Sequence, residues 1–205
     1  MNILLITPGI NKRFNDNYHA YRYIADNDNN VLAISNKEAT NKGGRLHKDP
    51  EFEVDGSLVI HRIFNSIREQ QSFLRRLPYK QKIKNFVSEF RPDVIFCEEI
   101  SNLKLALEIK REFRVPIVLR TEFAFDVDYP YRSMGRLLQI FKNPLTGDRL
   151  AILVGGLIWR WAYANADAVI SCYYEDAPKQ PEVNNTPFYY VPWPTFHPSI
   201  EGEAK

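Results

Sequence analysis

The sequence predicts an α/β protein built on a doubly wound, mostly parallel sheet of about seven strands. Short apolar runs rich in β-branched residues alternate with stretches of helical periodicity from residue 2 to residue 191. Each run stops at turn-forming or polar residues, and a helical crossover between two buried strands returns parallel and right-handed. The clearest unit is residues 91–126, RPDVIFCEEISNLKLALEIKREFRVPIVLRTEFAFD, which parses as strand, helix, strand.

Within that unit Pro92 and Asp93 punctuate the start, and Val94-Ile95-Phe96-Cys97 has the length and composition of a strand buried on both faces. Ser101 is placed to cap the following helix, because its hydroxyl can accept from a first-turn N–H. Leu103, Ala106, Leu107 and the Lys110 stem share one helical face. Val115-Pro116 then opens a second buried strand, Ile117-Val118-Leu119.

The other elements follow in chain order. Residues 2–7, NILLIT, form a central strand that turns at Pro8-Gly9. Tyr18, Tyr21, Ile24 and Ala25 recur at helical spacing, and the run from Asp26 to Asn30 ends that helix. Val31-Leu32-Ala33-Ile34 is the next strand. Residues 36–56 are polar, carry Gly43-Gly44 and read as a long surface loop. Residues 57–64 form a third strand with His61 and Arg62 near its end. Residues 67–90 are helical with a break at Pro78, and Ile83, Phe86, Val87 and Phe90 form an i, i+3, i+4, i+7 stripe. After an irregular region, residues 123–149, a helix over 150–165 leads to the strand Ala168-Val169-Ile170-Ser171-Cys172. Residues 188–191 make the last strand. The domain is expected to span residues 1–196, with 197–205 as a linker or cut end.

Bulk properties exclude more than they specify. The chain of 205 residues has a formal charge of +2, with 44% hydrophobic and 25% charged residues, ordinary for a soluble globular domain. Its two cysteines, Cys97 and Cys172, fall in strands and read as inert core thiols, a pattern that suits a reducing cytoplasm. The first apolar run is too short for a signal core, and no run reaches the length of a spanning helix. The four histidines sit in separate elements without ligand spacing, so no metal is expected. The turn TPGINKRF holds one glycine where a dinucleotide fingerprint needs three, and neither a Walker loop nor a G-x-S-x-G elbow occurs, so no cofactor is expected. Basic residues are interspersed with acids, which argues against nucleic acid.

Polar residues gather where the strands end, the edge at which open α/β sheets bind ligands. Thr7 and Gly9 follow the first strand, Glu98 and Glu99 follow the strand at 94–97, and Arg120, Thr121 and Glu122 follow the next. The first strand and the 94–97 strand are expected to be neighbours at the switch point. The carboxylates there can hold an acceptor or act as a base, or they can be solvated or paired with Arg120. Arg120 in turn can grip a phosphate through its planar fork or serve in such a pair. Asp126 and Asp128, among aromatic rings in FAFDVDYPYR, have the make-up of sugar-binding acids, with an exposed loop as the plainer account. Residues 132–161 mix arginines, tryptophans and aliphatics, a composition that suits either a core helix with a basic face or a peripheral contact with an anionic membrane.

The ordered set NILLITP, VLAISN, RPDVIFCEE, VPIVLRTE, ANADAVISCYYED and FYYVPWPTF resembles the Rossmann-like N-terminal half of a GT-B glycosyltransferase. It is most similar to the large retaining group 1 (family 4-like), which includes sucrose, mannosyl and bacillosamine-type transferases. The resemblance spans nearly the whole chain, through motifs that are short and hydrophobic. It implies an acceptor-side domain of a hexosyltransferase-type enzyme. A nucleotide sugar would be the donor and a glycan or lipid-linked sugar the acceptor. A second, C-terminal domain or a separate subunit would supply most of the donor contacts. Together with the strand-end positions, it makes Thr7, Gly9, Glu98, Glu99, Arg120 and Asp126 the candidate substrate contacts. The chain departs from the pattern twice. Only Gly9 stands where the family has a glycine pair, and Glu122, six residues past Pro116, stands at the family's histidine and becomes the catalytic candidate. A lipid-linked acceptor would place the enzyme in the cytoplasm, peripheral to the inner face of the membrane. The alternative is a non-catalytic sugar- or partner-binding module complete in itself.

Overall fold

The computed structural model describes residues 1–10, 16–40, 46–121, 161–171 and 186–191. Strand β1 is Asn2–Ile6, helix α1 is Asp16–Asp26 and strand β2 is Asn30–Asn36. The short strands β3 (Glu38–Thr40), β4 (Leu46–Lys48) and β5 (Phe52–Asp55) precede β6 (Leu58–Phe64). Helices α2 (Ile67–Gln71), α3 (Phe73–Arg76) and α4 (Lys80–Phe90) come next, with a 3-10 turn, Leu77–Tyr79, between the last two. Strand β7 (Val94–Glu98), helix α5 (Leu103–Phe113), and strands β8 (Ile117–Thr121), β9 (Ala168–Ser171) and β10 (Phe188–Tyr190) complete the order.

Eight strands form one sheet in the order β10-β9-β8-β7-β1-β2-β6-β5, and every pairing is parallel except β5 with β6 at the edge. The order runs outward from β1 in both directions, so β1 and β7 flank the switch point, as expected from the sequence. Helix α1 covers one face over Ile3, Leu5, Ala33 and Ile60. Helices α4 and α5 cover the other, over Leu4, Ile6, Ile34, Ile95 and Leu119. Because the strands are buried on both faces, alternate residues feed opposite cores, and both sets must be apolar. Pro78 interrupts the helical segment as its sequence requires, for it sits in the 3-10 turn.

Three expectations are corrected. Residues 36–56 are not a loop: they hold the antiparallel β3–β4 hairpin and the edge strand β5. The main sheet has eight strands among the described residues rather than seven because β5 joins it. Ser101 does not cap α5. Asn102 occupies the cap position without a side-chain cap bond, and Ser101 lies in a 3-10 turn, Ile100–Asn102, where its hydroxyl donates to the Glu99 carboxylate at 3.1 Å. Of the helix expected over 150–165, residues 161–165 are helical, and the rest lies outside the described residues, as do 197–205 and Cys172. Among the described residues no helix is long and apolar enough to cross a membrane.

Candidate functional site

The strand register builds the site. Ile60, Ala33, Leu5, Phe96 and Val118 stand side by side across β6, β2, β1, β7 and β8. Two residues further along each strand, on the same α1-facing side, the layer turns polar: Arg62, Ser35, Thr7, Glu98 and Arg120. All five are buried. A full polar row directly above a full apolar row marks the carboxyl edge, where the core gives way to the crevice.

Glu98 is the hub of that row. The Thr7 hydroxyl donates to its Oε2, and Arg120 Nη1 donates to its Oε1 at 2.9 Å. Arg120 Nη1 also donates to the Tyr21 hydroxyl of α1 at 3.0 Å. Glu98 is 1% exposed and Arg120 5%. Burial, and then the Glu98 carboxylate, push the Tyr21 phenol well above its ordinary range, with Arg120 pulling the other way. The phenol therefore stays protonated. The pair belongs to the inside of the crevice floor, where ions persist only when matched in charge and hydrogen bonds.

A second polar group clamps the loops from the opposite face. Gln70 Nε2 donates to the Thr7 carbonyl at 2.8 Å and to Asn102 Oδ1 at 3.0 Å. Its Oε1 accepts from Asn36 Nδ2 at 3.0 Å, and Asn36 also donates to the Pro8 carbonyl. Asn102 Nδ2 reaches the Glu98 carbonyl at 2.8 Å, while Arg76 Nη1 holds the Gln70 carbonyl at 2.8 Å. These buried amides fix the turns after β1 and β7 on the two sides of the switch point.

Glu99 stands at that edge in a conformation that disfavours every side chain, with φ 66° and ψ 145°. Such a backbone costs about 1–3 kcal/mol in a non-glycine residue. It is held by Glu99 N–H to the Arg120 carbonyl at 3.0 Å and by Asn102 N–H to the Glu99 carbonyl at 3.2 Å. The Cys97 thiol, its ionisation pushed far up by burial, donates to the same carbonyl at 3.6 Å. Glu99 itself is half-buried.

The structure thus brings Thr7, Gly9, Glu98, Glu99 and Arg120 to one edge. Glu122 and Asp126 lie outside the described residues, as does the basic and aromatic stretch before Trp161. Sequence reasoning missed Tyr21 as a partner of Arg120, and missed Gln70, Asn36 and Asn102 altogether. It passed over Ser35 and named Thr121 only as a polar residue after a strand; both hydroxyls, Ser35 Oγ and Thr121 Oγ1, are buried without a hydrogen-bond partner among the described residues. For Ser35 and Thr121 the available signal was a polar residue at a strand end; for Gln70 there was none.

In class, the sheet is a Rossmann-like half-domain of the GT-B fold. In particular, the chain is similar to sucrose-phosphate synthase from Thermosynechococcus elongatus, at 16% identity and a TM-score of 0.60, over 94% of this chain and 48% of that one. A second structure of that synthase matches at 14% identity and a TM-score of 0.57, over 96% of this chain and 91% of that one. Phytolacca americana UGT2, complexed with UDP-2fluoro-glucose and pterostilbene, matches at 9% identity and a TM-score of 0.55, over 94% and 54%. The chain therefore spans about half the length of the first synthase structure and of UGT2. No protein-family model and no curated protein matches the sequence.

Proposed function

We propose that the chain is the acceptor-side domain of a retaining glycosyltransferase of the family 4-like type. A nucleotide sugar is the donor, and a glycan or lipid-linked sugar is the acceptor. The observation that carries the reading is Glu99: a carboxylate held at the switch point by a strained backbone, between the Thr7–Gly9 turn and the end of β8.

In this reading the buried Glu98–Arg120 pair sets the crevice floor, and Glu99 takes hydroxyls of the acceptor sugar. Gly9 lets backbone approach the donor phosphates, Glu122 is the catalytic candidate and Asp126 is a further substrate contact. The acceptor hydroxyl attacks the anomeric carbon on the face from which the phosphate departs, so configuration is retained; the bond to the phosphate oxygen breaks, the nucleoside diphosphate leaves and the hydroxyl proton passes to a base. Donor contacts come mainly from a second domain or subunit. No metal takes part.

The test is transfer by the natural gene product, screened over nucleotide sugars and followed in two variants. Glu122→Ala should abolish transfer with the melting temperature unchanged. Glu99→Gly should raise stability by about 1 kcal/mol, because the strain is relieved, while acceptor KM rises at least tenfold. A Glu99→Gly enzyme that is both more stable and fully active would remove Glu99 from the site. Absence of transfer with every nucleotide sugar would sink the reading itself.

A further inference from the structure

The helical face carries a surface that the transfer reading does not use. Between Glu69 and Glu89 the sequence contains Arg75, Arg76, Lys80, Lys82 and Lys84 and no acidic residue. The same stretch exposes three large apolar side chains, Phe73 at 55%, Leu74 at 73% and Leu77 at 50%. They lie on α3 and the turn that leads into α4, just after the buried Gln70 that fastens the crevice loops. Isolated exposed apolar residues are common, whereas three within five positions form a patch.

The patch continues into a groove of about 190 Å³ between α3–α4 and α5. Phe73, Leu77, Ile83, Leu105, Ile109 and Phe113 give it an apolar lining. Arg76, Lys80, Lys84 and Arg111 add cations to it. Its two acids are neutralised in place: Glu108 by Arg76 at 2.5 Å and Glu112 by Lys84. Lys82 likewise pairs with Glu51 at 2.5 Å. Arg75 and Lys80 have no ion pair among the described residues and flank the apolar tip.

We infer that this face, Phe73 to Lys84, seats the protein on an anionic lipid bilayer. Phe73, Leu74 and Leu77 enter the headgroup–acyl boundary, and Arg75 and Lys80 meet lipid phosphates. Apolar tip and unpaired cations side by side match the two layers of such a surface, and neither alone would hold. A second copy of this face would bring like charges together. The inference deepens the proposed function, whose lipid-linked acceptor would lie at such a surface, yet vesicle binding can fail while transfer stands, so the two are tested apart.

The test is co-sedimentation of the 205-residue chain with vesicles. Equal parts phosphatidylglycerol and phosphatidylcholine should bind it, and phosphatidylcholine alone should not. Arg75→Gln with Lys80→Gln should weaken partitioning about thirty-fold, since each cation near an anionic surface is worth roughly a factor of five. Leu74→Glu should abolish binding. These side chains are exposed, so all variants should keep the parent circular dichroism and melting temperature. Binding that survives Leu74→Glu, or that is equal on both vesicle types, would overturn the inference. So would a chain that ignores vesicles but forms a dimer that Leu74→Glu splits, which would assign the patch to a second copy.

Discussion

Glu98 and Glu99 are adjacent acids with opposite tasks, and the difference lies in what surrounds each. Glu98 is enclosed by Thr7 and Arg120, while Glu99 is half-buried on strained backbone. Removing one member of a buried, hydrogen-bonded pair leaves the other charge uncompensated, at a cost of about 3–5 kcal/mol. Glu98→Ala should therefore lower stability by that amount in urea unfolding, with Arg120→Ala close behind. The Glu98→Ala/Arg120→Ala double variant should cost less than the sum of the two. If Glu98 instead served only a ligand, Glu98→Ala would leave the urea midpoint unchanged. The sequence already singled out Thr7, Glu98 and Arg120, because each is polar directly after an apolar strand. It left open whether Arg120 gripped a ligand or a carboxylate, since that depends on register: Glu98 and Arg120 are opposite each other in the ladder. Gln70 was illegible for another reason. A glutamine on a short helix normally faces water, and nothing local announces that its amide is buried under Thr7.

At the scale of elements, legibility followed amphipathic contrast. The buried strands and the α4 stripe were readable because their apolar residues repeat at the period of the element. Strand β5, FEVD, has no buried residue, and the β3–β4 hairpin lies in a run of charges and glycines, so neither offers a pattern to read. The ends of the helices hold a different lesson. Both α4 and α5 stop at an arginine in the left-handed conformation, Arg91 at φ 50° and Arg114 at φ 57°, where glycine is the usual occupant. The cap N–H of each still closes the last turn, onto Val87 and Lys110. Side-chain strain is thus accepted at an exposed position where glycine would remove it. Arg114→Gly should raise stability by about 0.5–1 kcal/mol, the left-handed strain outweighing the added freedom of the unfolded chain. Thermal unfolding would measure it, and a fall in melting temperature would show that the Arg114 side chain contributes more than the strain costs.

For the whole molecule, the fold class and the position of the crevice were readable because they follow from strand order, and strand order follows from short crossovers. How the antiparallel margin is fastened was not, because contacts distant in sequence do it. His61 of β6 lies between Phe52 of β5, at 4.8 Å, and Phe86 of α4, at 4.1 Å, so one imidazole ties sheet edge to helix. Burial, and then the nearby Lys82 ammonium, lower its pKa below the ordinary histidine value. A folded-state pKa that is depressed means the unfolded chain takes up the proton first. The stabilisation is complete above the ordinary value of about 6.5 and is lost as pH falls through the lower folded value. Glu51 acts in the same direction further down. Its carboxyl is held low by Lys82 and Lys37, so its contribution is present above the ordinary carboxylate range and fades as pH falls below it. Stability should thus decline in two steps on acidification, the histidine step first. His61→Phe keeps the aromatic stack and removes the proton site, so its melting temperature should be flat across the first step and fall only in the second. If His61→Phe declines in parallel with the parent through the histidine range, the first step belongs to another group, and the ring stack at the sheet margin carries no pH dependence.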